Sequence, residues 1–375
     1  MVCPCYFSPV RKMRLFLLVL LFVTMTKSEI LQVVKKSERI MKPMGFESLV
    51  STFNSTREAR RSVVSGGLFS IVSFDNVPCM AMSGDIGTCY SQRECTNLMG
   101  TASGVCAGNF GVCCVVTPSC GGTVTTNNTY FINTGFPATV SGPLMCSVTV
   151  NKLAGASELY LEFTNFQIAG PTLGDCTNDT FTVTITGSTS SMTVPILCGN
   201  LGNQMYYIDI SKATGPFTLK FNLGSTTFAR SWKIRIVQFK TGDACAAPSG
   251  CSLYFRDPSG TVETFNYNMG QGELINNICI NVCFQLQPGF CSIMLTENEF
   301  MLSGIAPNDC TEGDYLLANG QRFCGDTLGN GMLVVNQTMS SGFLQIQVCS
   351  GNTNPDMDLG FKLNYTQLPC PSSVG

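Results

Sequence analysis

The chain has 375 residues, enough for two or three domains, with 21 cysteines, no histidine and a formal net charge of −2. Without an imidazole, Ser-His-Asp and Cys-His nucleophilic sites and the His-Glu-x-x-His zinc helix are excluded, along with most general-base chemistry at neutral pH. From Ser62 onward 11 Lys/Arg stand against 20 Asp/Glu, a net charge of −9, which argues against nucleic acid, heparin-like polymers or anionic lipid as partners.

Arg11, Lys12 and Arg14 precede the apolar run from Leu15 to Val23, and Thr24, Thr26 and Ser28 follow it. This order predicts a secretory signal peptide over residues 1–28. Nine apolar residues are too few for a permanent span, which needs about 20. Cys3 and Cys5 then fall outside the mature protein. With no second long apolar stretch and no apolar C-terminal tail, neither a membrane span nor a lipid anchor is expected. Residues 29–66 are basic and cysteine-free and read as a propeptide or linker. Their Arg57-Glu58-Ala59-Arg60-Arg61 run is a candidate protease site or an uncut solvated charge run. Sequons at Asn54, Asn127, Asn178, Asn336 and Asn364 predict N-glycosylation and agree with an extracellular destination.

Six cysteines follow within residues 67–117: Cys79, Cys89, Cys95, Cys106, Cys113 and Cys114. A segment this small buries little apolar surface, so covalent staples must supply its stability. Sequence alone permits fifteen connectivities. The adjacent pair Cys113-Cys114 points to opposite sides of an extended chain and so binds two different partners. The spacing, with Gly87-Thr88-Cys89 and the terminal Gly111-Val112-Cys113-Cys114, resembles the clip domain of arthropod secreted proteins. That resemblance implies Cys79–Cys113, Cys89–Cys106 and Cys95–Cys114. A clip domain usually precedes a serine protease domain, and here none follows.

The next cysteines repeat a spacing. Cys120, Cys146, Cys176 and Cys198 are separated by 25, 29 and 21 residues, and Cys251, Cys279, Cys310 and Cys324 by 27, 30 and 13. The fourth cysteine of each set precedes a glycine, Gly199 and Gly325. A spacing repeated over about 120 residues indicates two copies of one stapled module, over residues 118–240 and 241–373. Phe181, Val183 and Ile185 alternate with Thr182 and Thr184, and Trp232, Ile234 and Ile236 with Lys233 and Arg235, the pattern of half-buried strands. The fold class is all-β, two tandem β-sandwiches preceded by a small disulfide-rich module. Cysteines in an extended, paired pattern with no Cys-x-x-Cys chelate indicate disulfides, not zinc, and an oxidising compartment.

The landmarks Cys120-Gly121-Gly122, Cys176-Thr177-Asn178-Asp179 and Cys198-Gly199 resemble a CUB domain. So do Gly260 to Tyr267 and the closing strand from Gly360 to Tyr365 in the second module. The resemblance implies Cys120–Cys146 and Cys176–Cys198. Spacing pairs Cys251 with Cys279 and Cys310 with Cys324, and Cys245 and Cys370 flank the second module, where a bridge ties its ends. Of Cys283, Cys291 and Cys349 one is expected to be left over, either buried or linking two chains.

Some CUB domains bind calcium through three acidic loop positions. In the first module these fall at Asp179 and near Ala169 and Gly224, one carboxylate of three, so no ion is expected there. In the second module Glu297, Glu299, Asp314, Asp356 and Asp358 are the candidate set, with a solvated acidic rim as the alternative. No other cofactor is expected. The function that follows is secreted, non-catalytic recognition of an extracellular protein or glycan through loops at 165–173, 224–231, 297–308 and 351–359. The alternatives are a non-catalytic cofactor of an extracellular serine protease cascade and a disulfide-linked matrix or cuticle component.

Overall fold

A computed structural model describes residues 61–66, 69–187, 194–304, 310, 313–337, 342–354 and 357–371. The signal-peptide segment, the basic run before Arg61, Asn54 and Asp356 lie outside these residues. Two compact units divide the chain after Val115.

The first unit begins six residues inside the segment read as linker. Strands β1 (Arg61–Gly66) and β2 (Phe69–Phe74) form an antiparallel hairpin. Then come β3 (Pro78–Met80), β4 (Ile86–Tyr90), a short helix α1 (Gln92–Asn97), β5 (Thr101–Cys106) and β6 (Gly111–Val115). Sheet order is β3-β4-β6-β5. Ser91 caps α1 by accepting the Glu94 N–H while the Glu94 carboxylate accepts the Ser91 N–H, a reciprocal capping box. Its bridges are Cys79–Cys113, Cys89–Cys106 and Cys95–Cys114. Successive side chains on β6 leave opposite faces, so the adjacent cysteines reach β3 on one side and α1 on the other.

The second unit holds two sandwiches. In the first, β8 (Thr129–Ile132), β10 (Ala156–Gln167), β12 (Gln204–Asp209) and β14 (Ser231–Lys240) form one sheet, in the order β12-β10-β14-β8. The facing sheet is β11-β13-β9-β7, with β7 (Thr123–Val124), β9 (Leu144–Val150), β11 (Asp179–Ile185) and β13 (Phe217–Leu223). Between them Trp232 stacks on Phe221 at 4.0 Å between ring centroids, and Phe131, Phe163, Phe166 and Phe181 complete an aromatic core. Trp232, Ile234 and Ile236 are buried as their alternation predicts. Arg235, on the opposite face of β14, is buried too. The outer face of this sheet is covered, and Arg235 bonds its cross-strand neighbour Glu162 at 2.5 Å.

The second sandwich repeats the plan. One sheet runs β15-β17-β22-β19-β20, from β15 (Leu253–Phe255), β17 (Cys279–Gln285), β19 (Tyr315–Ala318), β20 (Gln321–Phe323) and β22 (Phe343–Cys349). The other runs β16-β23-β18-β21, from β16 (Ser259–Glu263), β18 (Phe290–Met301), β21 (Met332–Asn336) and β23 (Gly360–Pro369).

Disulfides in the first sandwich are Cys120–Cys146 and Cys176–Cys198. In the second they depart from the spacing argument. Cys251 bonds Cys283, not Cys279. Cys279 sits directly opposite Cys349 in the antiparallel β17–β22 ladder and bonds it. Cys370 follows β23 and bonds Cys291 on the adjacent strand β18, so it does not join Cys245. Cys310 bonds Cys324. Cys245 is disulfide-bonded as well, and no cysteine among the described residues is free. Cys283, Cys291 and Cys349 are each bridged, so the expectation that one of these three is left over is corrected.

Candidate functional site

Asp179 opens β11 and is fully buried, as is Arg230, which immediately precedes β14. Arg230 Nε donates to Asp179 Oδ2 at 2.8 Å and Nη2 to Oδ1 at 2.8 Å, a bidentate pair. The same carboxylate accepts the Ala169 N–H at 2.7 Å and the Gly224 N–H at 3.0 Å. The remaining guanidinium protons reach the carbonyls of Thr226 (2.8 Å) and Phe228 (3.0 Å) and the Thr226 hydroxyl (2.6 Å). Burial alone would raise the Asp179 pKa. The Arg230 hydrogen bonds, the two amides and the guanidinium charge outweigh it and hold the carboxyl below its usual range. Arg230 thus wraps the 224–230 loop around itself, and Ser225, Thr227, Phe228 and Ala229 face solvent.

The acidic residues of the second sandwich do not converge. Glu297 accepts the Leu328 N–H at 2.7 Å, Glu299 bonds the Tyr267 hydroxyl, and Asp358 bonds the Ser303 hydroxyl. Asp314 is buried. Its Oδ1 accepts the Gly351 N–H at 2.5 Å, and its Oδ2 has no hydrogen-bond partner among the described residues. Among those residues no group of three or more Asp, Glu or Cys is placed to hold a metal ion. Glu297, Glu299 and Asp358 each take a donor from the fold, while Asp314 Oδ2 takes none among the described residues.

Residues 120–236 match the CUB domain family, and residues 248–368 match the animal CUB domain. The chain carries two CUB domains in tandem. Its solved neighbours include the CUB1-EGF-CUB2 domains of rat MASP-1, at 15% identity over 65% of this chain and 99% of that one, with a TM-score of 0.24. The same domains of human MASP-1/3 give 13% identity over 64% and 98%, with a TM-score of 0.25. The full extracellular region of zebrafish Gpr126/Adgrg6 gives 11% identity over 68% of this chain and 38% of that one, with a TM-score of 0.25. No curated protein matches the chain significantly in sequence. No helix among the described residues is long and apolar enough to cross a membrane.

The two CUB domains meet along edge strand β12 and the loops beside it. Tyr207 N–H donates to Ser252 O at 2.8 Å, which closes an otherwise open sheet edge. Tyr207 and Tyr206 pack on Tyr254 and Phe265. Asparagines of the second domain clamp the backbone of the first. Asn266 Oδ1 accepts the Asn200 N–H at 2.9 Å, and Asn276 Nδ2 donates to Leu173 O at 3.0 Å and Asp175 Oδ1 at 2.9 Å. Their close approach explains two glycines. A Cβ on Gly199 would lie 2.0 Å from Asn266 Oδ1, and one on Gly174 would lie 2.1 Å from Asn276 Oδ1. Both glycines also have positive φ, +84° and +82°. Gly199→Ala is therefore expected to cost about 1–3 kcal/mol, with faster hydrogen exchange at the Asn200 amide. Unchanged protection of that amide would contradict the clamp.

This junction reassigns the loops read as free. Within 165–173, Ile168 and Ala169 are buried and the Leu173 carbonyl is bonded across the junction. The described parts of 297–308 and 351–359 fold onto each other through Ser303 and Asp358, with Asn354 bonded to Leu274 O. Among the described residues, Leu173 in 165–173 and Met357 in 351–359 are exposed as well, and 224–231 differs in presenting its exposed residues on a backbone bonded to a buried arginine. Arg230 lies inside the 224–231 candidate loop and Asn266 inside the Gly260 to Tyr267 landmark, but nothing in the sequence marks the contacts they make, and Asn276 lies in neither.

The sequons also separate by environment. Asn178 and Asn336 are exposed, and Asn364 is half-buried on β23. Asn127 is set into the sheet. Its Nδ2 donates to Gln238 O at 3.0 Å and its Oδ1 accepts the Gln238 N–H at 2.7 Å, so a sugar on Nδ2 competes with an edge bond. Glycopeptide mass spectrometry is expected to find Asn178 modified and Asn127 bare. A fully occupied Asn127 would contradict this.

Proposed function

We propose that the protein is a secreted, non-catalytic recognition protein that binds an extracellular protein or glycan through the tip of its first CUB domain. The observation that carries this reading is the 224–230 loop. Its backbone is held from inside by Arg230, while Phe228 and its neighbours are presented to solvent. A loop fixed before binding loses little conformational entropy when a partner arrives. The clamped CUB pair supplies the rigid base for that loop. Secretion is supported by the disulfides of every described domain and by the exposed sequon at Asn178. The bridge order of the N-terminal module, first to fifth, second to fourth and third to sixth, supports a clip-like reading of that segment.

The test is capture of partners from extracellular fluid by the full-length protein and by a Thr227→Gly, Phe228→Ser variant. A control carries Met332→Ser, an exposed residue on β21 of the second domain. The reading expects the tip variant to lose partners that the wild type and the control retain. Equal capture by all three proteins would reject the tip as the contact surface.

A further inference from the structure

We propose that Arg230 is a built-in cation, filling an oxygen-lined cage at the tip of the first CUB domain so that this tip is assembled without any divalent ion. The geometry begins with the carboxylate. An ionised Asp offers about four lone-pair positions. At Asp179 Oδ1 takes Arg230 Nη2 and the Gly224 N–H, and Oδ2 takes Arg230 Nε and the Ala169 N–H. All four positions are used.

The other oxygens around the guanidinium are equally committed. Gly224 O lies 3.3 Å from Nη2, Thr226 Oγ1 2.6 Å from Nη2, and the carbonyls of Thr226 and Phe228 lie 2.8 and 3.0 Å from Nη1. With the two Asp179 oxygens this makes six oxygen atoms, the lower end of what calcium requires. Here they surround a planar fork whose five N–H groups point in fixed directions. Calcium would have to displace the guanidinium, which is covalently held and fully buried.

The second CUB domain shows the same buried carboxylate without this solution. Asp314 follows the third cysteine of its module by four residues where Asp179 follows by three, but Leu359 stands before the last strand where the first domain has Arg230. Asp314 Oδ2 is left with no donor among the described residues. The arginine is therefore a property of the first domain and not of the repeat.

Two consequences follow for the tip. Its 224–230 loop keeps its shape in calcium-free and calcium-rich media alike. Asp179 also has no lone pair to offer a partner's donor, so recognition there falls to the exposed Thr227 and Phe228 and to backbone groups. Only this second consequence rests on the reading of the tip as the contact surface.

Hydrogen exchange on the full-length protein tests the proposal independently of any partner. The amides of Ala169 and Gly224, both donors to Asp179, are followed in millimolar calcium chloride and in excess EGTA. The expected result is equal protection in both media for the wild type. In Arg230→Gln, exchange at both amides is expected to rise at least about tenfold, with no restoration by calcium, while Ile234 and Leu161 in the core ladder stay protected. Chelation that speeds exchange at Ala169 and Gly224 in the wild type would overturn the proposal, as would wild-type protection in Arg230→Gln. If Arg230→Gln does not fold, the wild-type comparison between media still decides.

Discussion

Asp179→Ala is expected to destabilise the first CUB domain by about 3–5 kcal/mol, because it leaves the Arg230 charge buried and unpaired. Both partners are fully buried, so water cannot replace the lost carboxylate without opening the tip. The Ala169 and Gly224 amides lose their acceptor in the same step. Denaturant unfolding at pH 7 would measure the loss, and a change below about 1 kcal/mol would contradict the described burial. The pH dependence carries a sign. Native Asp179 is held below its ordinary pKa, so its contribution is complete above the unfolded-state value near 3.9 and is lost as pH falls through the native one. Wild type should therefore weaken in acid more steeply than Asp179→Ala.

Glu158→Gln is expected to act in the opposite sense and stabilise the protein at alkaline pH. Glu158 lies on β10 with 9% of its surface exposed, and its Oε2 accepts the Ala247 N–H at 2.9 Å from the segment between the CUB domains. Burial, with a smaller push from the Asp209 charge, raises its pKa to about 8, and the Ala247 N–H offsets only part of this. Native Glu158 is thus largely protonated at neutral pH, whereas the unfolded chain ionises near 4.3. For an acid with a raised native pKa, stability is complete below the unfolded value and falls as pH rises towards 8. Glutamine keeps the acceptor for Ala247 and removes the charge. The expected gain at pH 8 is on the order of 2–4 kcal/mol, vanishing near pH 4. Parallel stability profiles for wild type and variant between pH 4 and 8 would show that Glu158 is not buried against the interdomain segment.

Much of this architecture was legible from residue types. The repeated cysteine spacing marks two modules, and the alternation around Phe181 and Trp232 places inward faces correctly. Two bridges of the second domain were not legible, because spacing near 27 favours Cys279 for Cys251, whereas the β17–β22 register sets Cys279 opposite Cys349 and Cys251 bonds Cys283. Alternation also failed at Arg235, which is polar yet buried, since a two-period pattern cannot report that the outer face of a sheet is covered. The tip required a contact between Asp179 and a residue 51 positions away, with no sequence signal around Arg230 to announce it. The glycine after the fourth cysteine is legible in both modules, and Gly199 and Gly325 share a positive φ, whereas the close contact of Gly199 with Asn266 of the other domain is not.

Disulfide mapping of unreduced protein collected from culture medium tests the account of a stapled extracellular CUB pair most directly. The account predicts linked peptides for Cys176–Cys198, Cys251–Cys283, Cys279–Cys349 and Cys291–Cys370. Protein retained inside the cell with these cysteines reduced would contradict it.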